Sequence, residues 1–181
     1  MSLLLLLLIA APPPGAVTAK NWAKHPQIVE ARAVYEEVRG ARKSSALTER
    51  VRRATDECWD WSQLRMATDT SSTVRFFSRA GGGQDSVHQH ALYYDRAGKL
   101  RFALLTGGAV SDSTIETRIW FDATGKEVYR TDAQKGPGWT WLRGDPKMVI
   151  RDPRSLFQSG GSECPLGPPG PPGPEDEGAA D

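Results

Sequence analysis

Tyr93-Tyr94-Asp95-Arg96-Ala97-Gly98-Lys99 and Trp120-Phe121-Asp122-Ala123-Thr124-Gly125-Lys126 read alike: two aromatic residues, Asp, two free positions, Gly, Lys. An Asp at the head of such a stretch bonds the backbone just ahead of it. A Gly three residues later supplies the left-handed conformation that closes a hairpin with a bulge. The two copies stand 27 residues apart, which is room for two strands between successive turns. The spacing therefore predicts a meander in which hairpin follows hairpin. Side chains alternate across a strand, so each aromatic pair places one ring on either face of the sheet.

Outward from these turns, alternating patterns rich in β-branched and aromatic residues predict strands near 62–69, 73–80, 87–94, 99–106, 113–121 and 126–131, with two shorter ones near 139–142 and 147–150. Upstream the period changes. Ile28, Ala31, Tyr35 and Val38 recur at three- and four-residue steps, with charged residues between them. This predicts an amphipathic helix of about 14 residues that opens at Pro26 and is capped by Gly40. Leu47 and Val51 mark a short second helix over 45–54. The expected fold is α+β: an N-terminal amphipathic helix or helix pair packed on an antiparallel β-meander of about six strands, with the helices on one face.

The ends of the chain differ in kind from this middle. Leu3 to Ala11 is uninterrupted apolar, the length of a signal-peptide core and short of the roughly 18 to 20 residues that span a bilayer. Val17-Thr18-Ala19 offers small residues at the two positions a signal peptidase reads. Residues 1–19 are thus expected to be a cleaved signal, 20–158 one domain, and 159–181 a disordered acidic tail rich in Pro and Gly. The Gly-Pro-Pro units from Gly167 to Pro174 are too few for a collagen helix. The mature chain is expected to be a periplasmic or extracellular monomer with no membrane span.

Charge excludes one class of partner. Net charge is +1, and the 12 basic residues between Lys20 and Arg79 are interspersed with 8 acidic ones, so nucleic acid is not expected. Cys58 and Cys164 form an even pair that an oxidising compartment can join into a disulfide.

The aromatic-aromatic-Asp-x-x-Gly-Lys hairpins over residues 87–131 resemble those of small uncharacterised exported bacterial β-meander proteins and, more loosely, Tyr-Asp and MORN-type surface repeats. That resemblance implies a β-rich exported module with no catalytic residues to carry over.

Candidate chemistry is sparse. His88 and His90 share a strand face with Leu92 and Tyr94, a geometry open to a metal but lacking a third ligand; two partly exposed histidines are the plainer reading. No cofactor is expected. Gly81-Gly82-Gly83 lacks the Lys-Ser/Thr ending of a phosphate loop and reads as a hairpin loop. Two Trp-x-Trp pairs, Trp59/Trp61 and Trp139/Trp141, each present both rings on one face if extended, and such rings stack on sugars or anchor a protein partner. Trp139, Trp141, Tyr94 and Trp120 are the candidate ligand-binding residues, for an unknown protein or glycan. The expected function is a non-catalytic binding or structural module of the cell envelope or extracellular space. An inhibitor or immunity-type protein acting through its sheet face and a small secreted hydrolase are the alternatives.

Overall fold

Both quoted turns close as their residues demand in the computed structural model of the chain, which describes residues 15–53, 61–110, 112–136, 150 and 152–160. Asp95 Oδ1 accepts the amides of Ala97 and Lys99 at 2.9 Å each. Asp122 Oδ1 accepts those of Thr124 and Lys126 at 2.8 and 3.0 Å. Gly98 and Gly125 take the left-handed conformation at φ 74° and 83°.

A third copy stands upstream. Asp69 Oδ1 accepts the amides of Ser71 and Thr73 at 3.0 and 2.9 Å, and Ser72 takes the left-handed position at φ 62°. Ser72 replaces the glycine and Ala67-Thr68 replaces the aromatic pair, so the sequence pattern shows two turns where the backbone builds three. Each turn follows a register shift, at Ala67/Thr68, Tyr93/Tyr94 and Trp120/Phe121.

These turns join β2 (Trp61–Thr68) to β3 (Val74–Gly82), β4 (Ser86–Tyr94) to β5 (Leu100–Ala109), and β6 (Thr114–Phe121) to β7 (Glu127–Lys135). With β1 (Thr48–Arg53) they form a seven-stranded antiparallel sheet in simple chain order. The expected helix over 45–54 is not formed. A ten-residue helix is marginal alone, whereas β1 gains six residues of pairing with β2, and Thr48 and Val51 suit a strand.

Register lines up one aromatic row across five strands: Phe76, Tyr93, Phe102, Trp120 and Tyr129 are successive partners. Phe77, Leu92, Ala103 and Ile119 form the neighbouring row on the other face. Each Asp turn therefore does place one ring of its aromatic pair in each core: Tyr93 and Trp120 on the helix side, Tyr94 and Phe121 opposite.

Helix α1 (Pro26–Lys43) lies over the aromatic row, burying Ile28, Ala31 and Val38 and setting Tyr35 against Tyr93 and Phe102. It runs past Gly40, where the sequence placed its cap, because Ala41, Arg42 and Lys43 are good helix formers that continue it. The chain leaves through Ser45 at φ 57°.

Two buried arginines fasten α1 to the sheet. Arg75 donates to the Tyr94 carbonyl (3.2 Å) and to Glu37 (2.9 Å); Arg101, six residues after its own turn Asp just as Arg75 is, donates to the Phe121 carbonyl (3.3 Å) and to Glu30 (3.4 Å). Glu30 and Glu37 are seven residues apart, a rise of about 10.5 Å along a helix. That matches the roughly 9.6 Å between alternate strands. The Arg75 guanidinium holds the Glu37 carboxyl below the usual carboxylate range against the opposing effect of burial, and Arg96 helps.

The second face is covered by another element. Helix α2 (Pro153–Ser159) sets Leu156 and Phe157 on the core of Leu64, Phe77, Leu92 and Phe121. Helices thus lie on both faces rather than one. Asp152 caps α2 by accepting from the Ser155 amide at 2.9 Å, Gly160 ends it at φ 88°, and Arg52 of β1 donates to the Phe157 and Gln158 carbonyls. No helix among the described residues is long and apolar enough to cross a membrane. The expected tail over 159–181 opens on Ser159 and Gly160, which instead belong to α2 and its cap because the Asp152-capped turn continues through them; the rest of it, the expected strand near 139–142 and all but Ile150 of that near 147–150 lie outside the described residues.

Candidate functional site

Where the aromatic row runs out from under α1 it leaves a groove of about 270 Å³, lined by Trp22, Arg32, Tyr35, Glu36, Phe102, Leu104, Arg118 and Trp120. Phe102 and Trp120 come from β5 and β6 as buried members of the row, and Leu104 lies two residues beyond Phe102 along the same strand face. Tyr35 descends from the helix one turn after Ala31 and meets Phe102 edge-on at 5.1 Å. Trp22 closes the third side. It stacks on Tyr129 at 5.6 Å with planes 19° apart and tilts against Trp120 at 5.2 Å.

The Trp22 wall is held from upstream. The Trp22 amide donates to the Thr18 carbonyl at 2.9 Å. Asn21 receives the Thr18 amide at 2.7 Å and returns a bond to the Ala16 carbonyl, while the His25 ring meets the Gly15 carbonyl at 2.7 Å. Val17 packs against the aromatic cluster. Residues 15–19, assigned by sequence to the signal, thus contact the wall of the groove.

Charge at the rim comes from both layers. Arg32 of α1 sits over the Trp22 ring, 5.7 Å from its centroid, and Arg118 of β6 pairs with Glu116 at 2.9 Å. Glu36 lies one turn after Arg32 and pairs with Arg39 at 3.5 Å.

The candidate residues fall in different places. Trp120 forms part of the groove. Tyr94 is buried on the opposite face, where its hydroxyl donates to the Ile150 carbonyl at 3.3 Å, and so does not meet Trp120 at a common site. Trp139, Trp141, Cys58 and Cys164 lie outside the described residues, as does Trp59; its neighbour Trp61 is 49% exposed.

His88 and His90 are buried rather than partly exposed, on the face shared with Leu92. Burial, with the positive charge of Arg79 and the neighbouring His88 ring, pushes the His90 imidazole down to about 3; burial also lowers His88. Both rings are therefore neutral at physiological pH. Among the described residues no three His, Cys, Asp or Glu side chains converge as a metal site. Gly81 and Gly82 belong to β3, and a Cβ on Gly82 would press on the Ser86 carbonyl, so this glycine serves a tight hairpin.

Sequence reasoning took Tyr35 for core and passed over Trp22. The signal that finds them is register: once Tyr93, Phe102 and Trp120 are known to be partners, helix residues facing that row become walls. Comparison with known proteins finds no family model, no curated protein and no solved structure that matches this chain.

Proposed function

We propose that the chain is an exported, non-catalytic binding module of the cell envelope or extracellular space that seats a planar group of its ligand in the groove between α1 and the sheet. The observation that supports this reading is the groove itself, with rings on three sides and guanidiniums on two layers. Such a site gains affinity from apolar contact and orientation from a few polar groups. Its ionisable border favours binding over catalysis: guanidiniums stay protonated and cannot exchange protons, and the one carboxylate, Glu36, already has Arg39. Export is supported by the short apolar run Leu3 to Ala11.

The test uses 1-anilinonaphthalene-8-sulfonate, a planar anion, titrated against the folded protein at neutral pH. The expected result is saturable one-to-one binding, weakened about tenfold or more by Leu104→Glu, which lines the groove with an opposing charge, equivalent to about 1.4 kcal/mol. Absence of saturation, or equal binding by the variant with an unchanged melting temperature, would refute the groove as the site. Recovery of the expressed protein with its N-terminal apolar run in a cytoplasmic fraction of a secreting host would refute export.

A further inference from the structure

About 20 Å along β4 from Tyr93, taking six residues at the usual strand rise, the same sheet face ends in a second opening that α1 does not cover. Gly83 to Asp85, between β3 and β4, and Val110, Asp112 and Ser113, between β5 and β6, form it, tied together by a bond from the Val110 amide to the Asp85 carbonyl at 3.0 Å. The cleft measures about 550 Å³, within the range of ligand sites. Trp61, Val87 and Val110 line it, three of the five large hydrophobic side chains left exposed among the described residues. Gly108 contributes bare backbone, where a Cβ would meet the Ser113 carbonyl at an ordinary contact distance of 3.8 Å.

Three polar side chains at this cleft are uncommitted. The carboxylates of Asp85 and Asp112 and the amide of Gln84 make no hydrogen bond or ion pair among the described residues. At the turn end, by contrast, the carboxylates of Asp69, Asp95 and Asp122 each accept two backbone amides. An exposed indole beside planar acceptors and an amide is the chemistry of a ring with an apolar face and a hydroxylated edge.

We infer that the cleft at Trp61 binds a neutral saccharide, one sugar ring lying on the indole and its hydroxyls bonding to Asp85, Asp112 and Gln84. Two carboxylates against the single ammonium of Lys135 disfavour an anionic ligand. A quaternary ammonium calls for several rings around it, and the cleft holds one. The site is independent of the groove beside Trp22.

Calorimetric titration with three neutral hexasaccharides tests this: β-1,4-linked glucose, α-1,4-linked glucose and β-1,4-linked N-acetylglucosamine. At least one is expected to bind with a dissociation constant of about 1 mM or tighter. Trp61→Ala should weaken that binding about tenfold or more and Trp61→Phe less, because a smaller ring still stacks. Asp85→Asn and Asp112→Asn should each weaken it about threefold to tenfold, having lost a charged acceptor, while Leu104→Glu leaves it unchanged. Trp61 is half exposed, so these variants should stay folded, which a melting curve verifies. No binding of any of the three at about 10 mM, binding indifferent to Trp61→Ala, or tighter binding of tetramethylammonium would each overturn the inference.

Discussion

The two ends of the sheet are built from the same residue types and do opposite things with them. At the turn end, three aspartates spend their carboxylates on the backbone, three residues hold positive φ, and two buried arginines tie strands to α1. At the loop end, Asp85 and Asp112 face the cleft beside an exposed tryptophan. A carboxylate already holding two amides has little left for a ligand, whereas an unbonded one on a tethered loop is available to one. Stability is concentrated at one end of the molecule and availability at the other, the usual division between a scaffold and the loops it carries.

Acid should open the largest difference between them. His88 and His90 both lie in β4, toward the loop end, and both pKa values are depressed in the folded protein. A depressed histidine binds more protons unfolded than folded, so its stabilising effect is full above pH 6.5 and declines as pH falls from there toward about 3. Each fully engaged histidine contributes up to about 1.4 kcal/mol per pH unit in that window. Chemical denaturation at pH 7 and pH 4.5 should show the loss, and His90→Gln should remove part of it. A pH-independent stability across that range would mean the rings are hydrated.

Breaking an arginine tie comes next. Arg101→Ala strips a buried cation from the Phe121 carbonyl, Asp95 and Glu30, and should lower stability by about 2–4 kcal/mol, below the full range for a buried pair because Glu30 is well exposed. A loss under about 1 kcal/mol by urea denaturation would show that the Arg101 tie adds little to the hold on α1.

The turn glycines follow, and the three turns should respond asymmetrically. Gly98→Val and Gly125→Val force a β-branched residue to positive φ and should each destabilise by about 1–3 kcal/mol. Ser72→Gly should do the reverse, stabilising by up to about 1 kcal/mol, since Ser72 already occupies that conformation with a Cβ. Thermal melts of the three variants settle whether the first turn is a true copy.

The N-terminal strap has an effect below that of the turn glycines. A chain beginning at Lys20 loses the Val17 packing and the bonds from Gly15, Ala16 and Thr18, and should be about 1–2 kcal/mol less stable than one beginning at Gly15. Equal melting temperatures would show that the strap adds nothing to the Trp22 wall. Trp61→Ala and Asp85→Asn at the loop end should change stability by no more than about 0.5 kcal/mol.

The sequence by itself determined whatever depends on local chemistry. Asp followed three residues later by Gly dictates two of the turns, and alternation from about Ser62 onward dictates strands, because both are read from neighbours in the chain. The helix stripe Ile28, Ala31, Tyr35, Val38 was legible for the same reason. Tertiary structure decided what depends on partners remote in sequence. Residues 48–53 became a strand because β2 offered an edge, and Ser72 was held at positive φ by Asp69 and the hairpin around it. The histidines became core because they share a face with Leu92, the face that carries the second hydrophobic cluster. The groove was invisible for a stronger reason: its walls, Trp22, Tyr35, Phe102 and Trp120, span nearly a hundred residues of chain and meet only through register. A strand's period states which side chains share a face, but only pairing states which of those faces stand side by side, and a binding surface is made of the latter.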